Sequence, residues 1–339
     1  MTDHRDVDIL SFGEALIDFL PQETGRKLRD VTAFTPRLGG APANLAFAGA
    51  RLGRQTALQG KIGQDEFGHM ALRHLASVGV RVDLIQMSRQ ARTGLTFVEV
   101  NEEGERRFLF YRSSSADMTL TLADVDLTAV QGCRVVHTGT NLLMFPPARE
   151  ANLAVLDAAR AEGALVSMDA NLRPHLWPDR SQMIPYVMDA IDRVDVLKVN
   201  EDEYATLFGE LPPQEVFETV LSPRGVGLFV LTLGSEGAIA VTARHTVRRP
   251  APRVTVIDTT GAGDGFLAGM LCALLRIMDG RRLNGPTILD ALDPDALGAI
   301  LEVGCFVGTE VCTAFGAVEA IPEASAVDWS RVDAAAQSG

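Results

Sequence analysis

The sequence predicts an α/β fold in which helices cover both faces of a mostly parallel central sheet. Short β-branched, apolar runs alternate with longer helical patterns, a rhythm typical of parallel sheets. Four predicted strands end in clusters of polar residues, at 169–173, 200–203, 232–234 and 258–261. In a parallel sheet such ends lie along one edge, where ligands bind. The sequence therefore predicts a ligand site together with the fold class.

The predicted strands and helices follow one another in a regular order. The first strand is predicted at 7–12, and a glycine turn at 39–40 leads into a small, apolar helix at about 45–53. Later strands are predicted at 135–139, 165–169, 194–199, 227–232 and 254–257. Further helices are predicted at about 64–78, 147–162, 181–192, 201–208 and 213–221, and from residue 266 onward. We expect the tail, residues 331–339, to be frayed.

Residues 93–112 interrupt this order. A strand at 93–100, a turn at 101–104 and a returning strand at 105–112 predict a β-hairpin that carries arginines and aromatic side chains. The hairpin is either an ordinary surface element or a functional one, such as a lid or a dimer surface.

Composition and charge exclude several classes of function. The hydrophobic fraction of 47% and the charged fraction of 22% are ordinary for a soluble protein with a large core. No apolar stretch approaches the ~20 residues that span a bilayer, and the polar start of the chain predicts a cytoplasmic location. The net charge of −13 argues against nucleic acid or a membrane surface as a partner. The four cysteines lack C-x-x-C spacing, which favours buried free thiols.

The turn at 258–266 carries the strongest chemical signal. Gly261, Ala262 and Gly263 are small, so their backbone N–H groups can converge on a ligand. They also begin a helix, whose N-terminal dipole favours anions. Asp264 stands among these groups, where a carboxylate does not help to bind a phosphate but can abstract a proton. The hypothesis from these residues is phosphoryl transfer with Asp264 as general base.

Other strand ends offer weaker signals. Asp18 follows the first strand, and it is either a ligand contact or an outward-facing residue. Asn44 lies in the first turn after a glycine pair that lets a ligand approach the backbone. Asn200 and Glu203 share one side of a helical turn. They suit Mg²⁺ held through water, or they form an ordinary helix start.

The motifs that define other phosphate-binding folds are missing from the chain. It contains no G-x-x-x-x-G-K-[ST] and no H-R-D kinase set, and no G-x-G-x-x-G follows the first strand. P-loop kinases and protein kinases are therefore excluded, and a dinucleotide-binding fold is disfavoured.

Two segments resemble the signatures of the ribokinase-like (PfkB) sugar kinases, namely residues 39–44 and 258–264. Residues 13–21, 108–118 and 169–178 resemble the fructokinase members of that family most closely. The resemblance implies a three-layer α/β/α fold with a small β-strand lid and a single kinase domain. It assigns residues 1–330 to the domain and about 15–38 and 91–116 to the lid. In relatives the lid also makes a homodimer contact, so a homodimer is a candidate assembly.

The resemblance further implies transfer of the ATP γ-phosphate to a sugar hydroxyl, with fructose to fructose 6-phosphate as the leading case. Asp264 would take the hydroxyl proton, and the amides of Gly261, Ala262 and Gly263 would hold the phosphoryl group. The implied sugar contacts are Asp18, Gly39, Gly40, Asn44, Phe108, Arg112, Asn171 and Arg173. The implied nucleotide contacts are Lys198, Asn200, Thr232, Gly234, Gly237 and Cys305. For metals, Asn200 and Glu203 would hold Mg²⁺ through water, and Asp258 and Thr260 are candidates for contact with K⁺.

Some residues leave alternatives open. Cys305 stands where relatives usually carry Asn, and Glu310 replaces a small residue, so the nucleotide preference is not fixed. Arg112 could pair with a substrate carboxylate, which makes an acidic sugar such as 2-keto-3-deoxygluconate the main rival substrate. A non-catalytic sugar or nucleotide sensor is the rival from another class, and the intact turn around Asp264 disfavours it.

Overall fold

The computed structural model describes residues 7–101 and 106–338, which form a nine-stranded central sheet, a smaller second sheet and flanking helices. The strands are β1 Ile9–Phe12, β2 Leu16–Pro21, β3 Phe34–Gly39, β4 Thr56–Gly63, β5 Ile85–Ser88, β6 Leu95–Val100, β7 Arg106–Tyr111, β8 Val135–Gly139, β9 Leu165–Asp169, β10 Val196–Asn200, β11 Leu228–Thr232, β12 Ala238–Val241 and β13 Thr246–Arg249. The helices are α1 Ala41–Arg51, α2 Glu66–Ser77, α3 Pro146–Ala161, α4 Met183–Ile191, α5 Glu201–Phe208, α6 Pro213–Val216, α7 Ala262–Arg281, α8 Pro294–Val311 and α9 Ser330–Gln337. None of the helices in the described part of the chain is both long enough and apolar enough to cross a membrane.

The central sheet has the strand order β13-β12-β11-β10-β9-β8-β1-β4-β5. Neighbouring strands from β11 to β5 are parallel, whereas β12 and β13 form an antiparallel edge. Strands β1, β8 and β9 are buried along their whole length, as expected where helices cover both faces. The predicted α/β fold class is confirmed.

Two layers of helices enclose this sheet. Helices α1, α2, α7, α8 and α9 share one apolar cluster, which includes Leu45, Leu271 and Leu297. Helices α3, α4, α5 and α6 share the other, which includes Val155 and Val187. Helix α7 is buried on nearly all sides, as its almost continuous apolar sequence requires. It is therefore the central helix of its layer, and its first turn lies at the sheet edge where the predicted site residues gather.

The second sheet has the order β3-β2-β6-β7. Strands β2 and β6 pair in parallel, and the two outer pairs are antiparallel. Leu20, Val98 and Val100 form a small apolar cluster of its own, with Phe108 packed against it. The predicted hairpin at 93–112 is confirmed as β6 and β7. Most of its predicted turn lies outside the described residues.

The predicted strand at 254–257 is wrong. Residues 251–256 have no regular secondary structure, and Val256 and Ile257 are 60% and 48% exposed. The N–H groups of Ile257 and Asp258 donate to the carbonyl oxygen of Cys312 at the end of α8, and no strand of the described residues pairs with this segment. β-Branched residues favour strands only where a sheet can receive them, and this sheet already ends at β13.

The predicted fraying of residues 331–339 is also wrong for residues up to 337, because they belong to α9. Val332 and Ala335 are buried in the same apolar cluster as α7. Arg276 of α7 pairs with Asp333, and Arg281 donates to the carbonyl oxygen of Ala335. Gly339 lies outside the described residues. The assignment of residues 1–330 to a single domain stays a prediction.

Candidate active site

The predicted site residues gather around two adjoining cavities at the carboxyl edge of the central sheet. The first cavity, of about 510 Å³, lies between the central sheet and the second sheet. The second cavity, of about 680 Å³, lies between β11, residues 251–256 and the first turns of α7. Lys198, Asn200, Thr259 and Gly263 line both cavities. The N-terminus of α7 therefore stands where two ligands could meet.

The first cavity collects most of the residues assigned to sugar binding and catalysis. Those that line it are Asp18, Gly40, Asn44, Phe108, Arg112, Asn171, Arg173, Gly261, Gly263 and Asp264. Glu203 and Thr260, which were assigned to metals, line it as well. Gly39 is not among them: a Cβ there would lie 2.3 Å from Oδ2 of Asp18, so this glycine leaves room for the carboxylate. The cavity also contains Asp169, from the predicted polar cluster at 169–173, and Glu14, Arg106 and Asn141, for which no role was predicted.

Gly261 shapes the turn that begins α7. Its φ of 77° is left-handed, and a Cβ there would lie 2.6 Å from Cβ of Ala317. Only glycine accepts both conditions. No side chain of the described residues caps this helix, so its N-terminal N–H groups are available to an anion. The N–H of Ala262 donates to the carbonyl oxygen of Thr259 at 3.2 Å, which makes Gly261 and Gly263 the better placed of the three assigned amides.

Asp264 is a partly buried carboxylate in the first turn of α7. Its Oδ2 accepts a hydrogen bond of 2.8 Å from Nδ2 of Asn44, which lies in the first turn of α1. The pKa of Asp264 is raised from 3.8 to about 7, chiefly because the carboxyl group is desolvated. The hydrogen bond from Asn44 and the charge of Lys198 lower the pKa, whereas the charge of Asp169 raises it, and the value of about 7 is the net result. A carboxylate with a pKa near neutrality is well matched to general base catalysis.

Lys198 and Asp169 form a buried ion pair beside this helix terminus. Nζ of Lys198 lies 2.9 Å and 3.2 Å from the two carboxylate oxygens of Asp169. A Cβ on Gly263 would lie 2.9 Å from Nζ, so the ammonium group stands against the first turn of α7. Burial disfavours the charged lysine, but Asp169 and Glu203 outweigh this effect, and the pKa of Lys198 is raised. The lysine therefore stays charged at the junction of the two cavities.

The far end of the first cavity holds a second group of buried charges. Arg112 and Asp117 form an ion pair whose side chains are almost fully buried. Nε and Nη1 of Arg112 are buried and have no partner among the described residues. Glu14 accepts a hydrogen bond of 2.7 Å from Asn141. Burial raises the pKa of Asp18 to about 7. This end of the cavity therefore offers both hydrogen-bond donors and hydrogen-bond acceptors to a polar ligand.

The second cavity has a more apolar lining. The residues assigned to the nucleotide that line it are Lys198, Asn200, Thr232, Gly234, Gly237 and Cys305. Val254, Val256 and Phe266 add apolar surface, so the exposed β-branched run that was predicted as a strand forms one wall. Burial raises the pKa of the Cys305 thiol to about 12, so it is a neutral wall residue here. Such a cavity suits a flat aromatic ligand.

The residues assigned to metals are already hydrogen-bonded. Asn200 and Glu203 form a capping box at the start of α5, and the other oxygen of Glu203 accepts the N–H of Leu172 at 2.8 Å. Asp258 is buried and accepts the N–H groups of Thr260 and Gly316. Arg106 of β7 also forms an ion pair with Asp258 and donates a hydrogen bond to Oγ1 of Thr260. No cluster of three His, Cys, Asp or Glu side chains suited to a metal occurs in the described residues, so an all-protein metal cage is absent there.

Comparison with known proteins agrees with this geometry. A family model described as pfkB family carbohydrate kinase matches residues 6–323. Fructokinase-2 of Solanum habrochaites is 38% identical over 317 residues, which is 94% of this chain and 94% of that protein. The structure of a fructokinase with bound ATP from Xylella fastidiosa superposes with a TM-score of 0.85 at 31% identity, covering 97% of this chain and 98% of that chain.

A further solved structure is a fructokinase double mutant from Vibrio cholerae O395 in a form bound to fructose, ADP and a potassium ion. It superposes with a TM-score of 0.78 at 30% identity and covers 94% of this chain and 96% of that chain. The family match spans nearly the whole sequence, and the central sheet, the second sheet and the glycine turn agree with a ribokinase-like kinase. The chain belongs to the pfkB family of carbohydrate kinases.

Proposed function

We propose that this chain is a fructokinase, which transfers the γ-phosphate of ATP to fructose and releases fructose 6-phosphate and ADP. The observation that carries the proposal is the position of Asp264, which lines the first cavity at the N-terminus of α7, where the two cavities adjoin. A sugar in the first cavity and a nucleotide in the second would meet at this carboxylate. The fructokinase names of the similar proteins support the choice of sugar.

In this mechanism Asp264 accepts the proton of the attacking hydroxyl, and Asn44 holds its carboxylate in place. The N–H groups of Gly261 and Gly263 face the charge that develops on the transferring phosphoryl group. Lys198 adds a fixed positive charge at the same junction. Mg²⁺ bound with ATP supplies further charge neutralisation, and Asn200 and Glu203 are the residues that would hold it through water.

The charges around Arg112 favour a neutral sugar over an acidic one. Asp117 already neutralises Arg112, and the carboxylates of Glu14 and Asp18 also act on this guanidinium. A substrate carboxylate would enter a pocket whose positive charge is fully compensated, whereas sugar hydroxyls can accept from the unpaired Nε and Nη1. We therefore rank 2-keto-3-deoxygluconate below fructose.

The test is ADP release from MgATP in the presence of fructose, ribose, glucose or 2-keto-3-deoxygluconate. Fructose should give the highest kcat/KM, and the acidic sugar should give little release. Preference for 2-keto-3-deoxygluconate would move the protein to the rival substrate class. The absence of sugar-dependent release with every sugar would favour the non-catalytic sensor.

A K⁺ ion and a homodimer stay predictions. The side-chain oxygens of Asp258 and Thr260 face Arg106, so they do not fit a K⁺ ion, which would need other ligands. Activity in KCl and in choline chloride of equal ionic strength tests this point.

On the outer face of the second sheet Leu109 and Tyr111 are exposed beside Phe34 and Phe97, an apolar surface of the kind that dimers cover. Light scattering on the purified protein tests the assembly.

A further inference from the structure

Arg106 belongs to the second sheet, yet its guanidinium contacts the turn that begins α7. Its Nη1 lies 2.5 Å from Oδ1 of Asp258 and 2.5 Å from Oγ1 of Thr260. The side chain of Arg106 is 10% exposed and that of Asp258 is 0% exposed. Arg106 therefore links the second sheet to the turn before α7 through a largely desolvated ion pair with Asp258 and a hydrogen bond to Thr260.

Asp258 connects the contact made by Arg106 to the backbone of the turn that begins α7. Its carboxylate also accepts the N–H of Thr260 at 2.6 Å and the N–H of Gly316 at 2.8 Å. Thr260 immediately precedes Gly261, so Asp258 fixes the backbone just before the N–H groups assigned to the phosphoryl group. Arg106 is the charged partner of this buried carboxylate, and removing it would leave the charge uncompensated.

We infer that Arg106 is a positioning residue that couples the second sheet to the anion-binding turn. When the second sheet covers the first cavity, Arg106 neutralises Asp258 and holds the turn in the conformation that presents Gly261 and Gly263. The second sheet would then cover the sugar at the same time as the turn adopts its anion-binding conformation. The inference rests on the proposed role of this turn in phosphoryl transfer.

Arg107 provides the matched control. It is the next residue of the same strand, and side chains along β7 alternate between half-buried and exposed. Arg107 is exposed and lines the outer face of the second sheet, away from the first cavity. The two arginines have the same chemistry and nearly the same position in the sequence, but they project from opposite faces of one strand.

The experiment measures kcat, both KM values and the thermal midpoint for Arg106→Ala, Arg106→Lys and Arg107→Ala. Losing the ion pair with Asp258 and the hydrogen bond to Thr260 should lower the kcat of Arg106→Ala by about 10- to 100-fold. The KM for the sugar should rise, and the KM for ATP should stay within about twofold, because the second cavity has no contact with Arg106. Arg106→Lys should recover part of kcat, and Arg107→Ala should keep wild-type kinetics. A kcat for Arg106→Ala that equals wild type at saturating sugar would overturn the inference.

A double-mutant cycle with Asp258→Asn separates coupling from independent effects. If Arg106 acts through Asp258, Arg106→Ala should cost little further kcat in the Asp258→Asn background. Effects that multiply in the double mutant would mean that Arg106 acts elsewhere. The thermal midpoints of the wild type, the two single mutants and the double mutant should show the same non-additivity. They can be read even if the wild type phosphorylates no sugar, so failure of the coupling and failure of the proposed function are distinguishable.

Discussion

Asp264 combines two properties that oppose each other in a folded protein. Its carboxyl group is poorly solvated, which disfavours its charge, and it must lose its proton to act as a base. The hydrogen bond from Asn44 and the charge of Lys198 lower its pKa, but burial dominates and the pKa reaches about 7. Asn44 donates this hydrogen bond through its amide nitrogen. Its Oδ1 is buried and has no partner among the described residues.

We expect Asp264→Asn to fold and to lose sugar-dependent ADP release. A general base contributes roughly 10²–10⁴-fold, so kcat should fall by about that factor. Asp295→Asn is the matched control, because Asp295 is an exposed acid in the first turn of α8 and lines neither cavity. Steady-state kinetics of both variants checks the expectation. Wild-type turnover in Asp264→Asn would remove this carboxylate from the mechanism.

The same substitution should stabilise the protein at high pH. The folded-state pKa of about 7 lies above the ordinary value of 3.8, so the folded protein binds the extra proton between these pH values. Stability therefore falls as the pH rises through this window, and the full loss is present above about pH 7. The neutral amide introduced by Asp264→Asn would avoid that loss, and it could donate to Oδ1 of Asn44. The thermal midpoint of Asp264→Asn should exceed that of wild type more at pH 8 than at pH 5. An equal difference at both pH values would contradict the raised pKa.

At the scale of elements, the N-terminus of α7 depends on one glycine. An alanine at position 261 would combine a left-handed φ of 77° with a collision against the backbone of Ala317. Gly79 is the matched control, because its φ of 90° is also left-handed but nothing lies within 4 Å of a Cβ there.

We expect Gly79→Ala to lose about 1–2 kcal/mol of stability, the cost of the left-handed conformation alone, and to keep its kcat. Gly261→Ala should lose more stability, and its kcat should fall because the turn must shift to relieve the collision. Urea unfolding and steady-state kinetics measure the two effects. Equal stability losses in both variants would show that the close contact between residue 261 and Ala317 does not affect the stability.

Elements with strong local patterns could be predicted from the sequence, and those set by distant contacts could not. The alternation of strands and helices predicted the parallel sheet, because each strand carries its own apolar run. The run at 254–257 was misassigned, since its composition is strand-like but the sheet has no place for it. Helix α9 was missed because Val332 and Ala335 become buried only against α7.

The residues of the site also divide into those that are close in sequence and those that distant contacts bring together. The turn at 258–264 is contiguous in sequence, so its chemistry could be inferred from the residues in it. Arg106, Asn141 and Asp169 reach the first cavity from separate elements. The sequence of the hairpin does not say which of Arg106 and Arg107 faces inward, because the packing of the second sheet over the first cavity decides it.

At the scale of the whole molecule, the first cavity exists only where the two sheets meet. Asp18, Phe108 and Arg112 reach it from β2, β7 and the end of β7, whereas Asn171 and Asp264 reach it from the central sheet and its helices. A ligand that contacts both groups ties the sheets together. Opening of the second sheet then requires loss of those contacts, so its local opening becomes rarer.

Hydrogen exchange measures this coupling directly. In Asp264→Asn, which should bind substrates without turnover, fructose with MgATP should slow amide exchange in β2, β3, β6 and β7. Helix α9 is the internal control, because it lies against α7 and α8 and lines neither cavity. Its exchange should be unchanged or should slow far less. Equal slowing in α9 and in the second sheet would indicate general stabilisation of the protein, and no slowing in the second sheet would mean that the bound sugar does not join the two sheets.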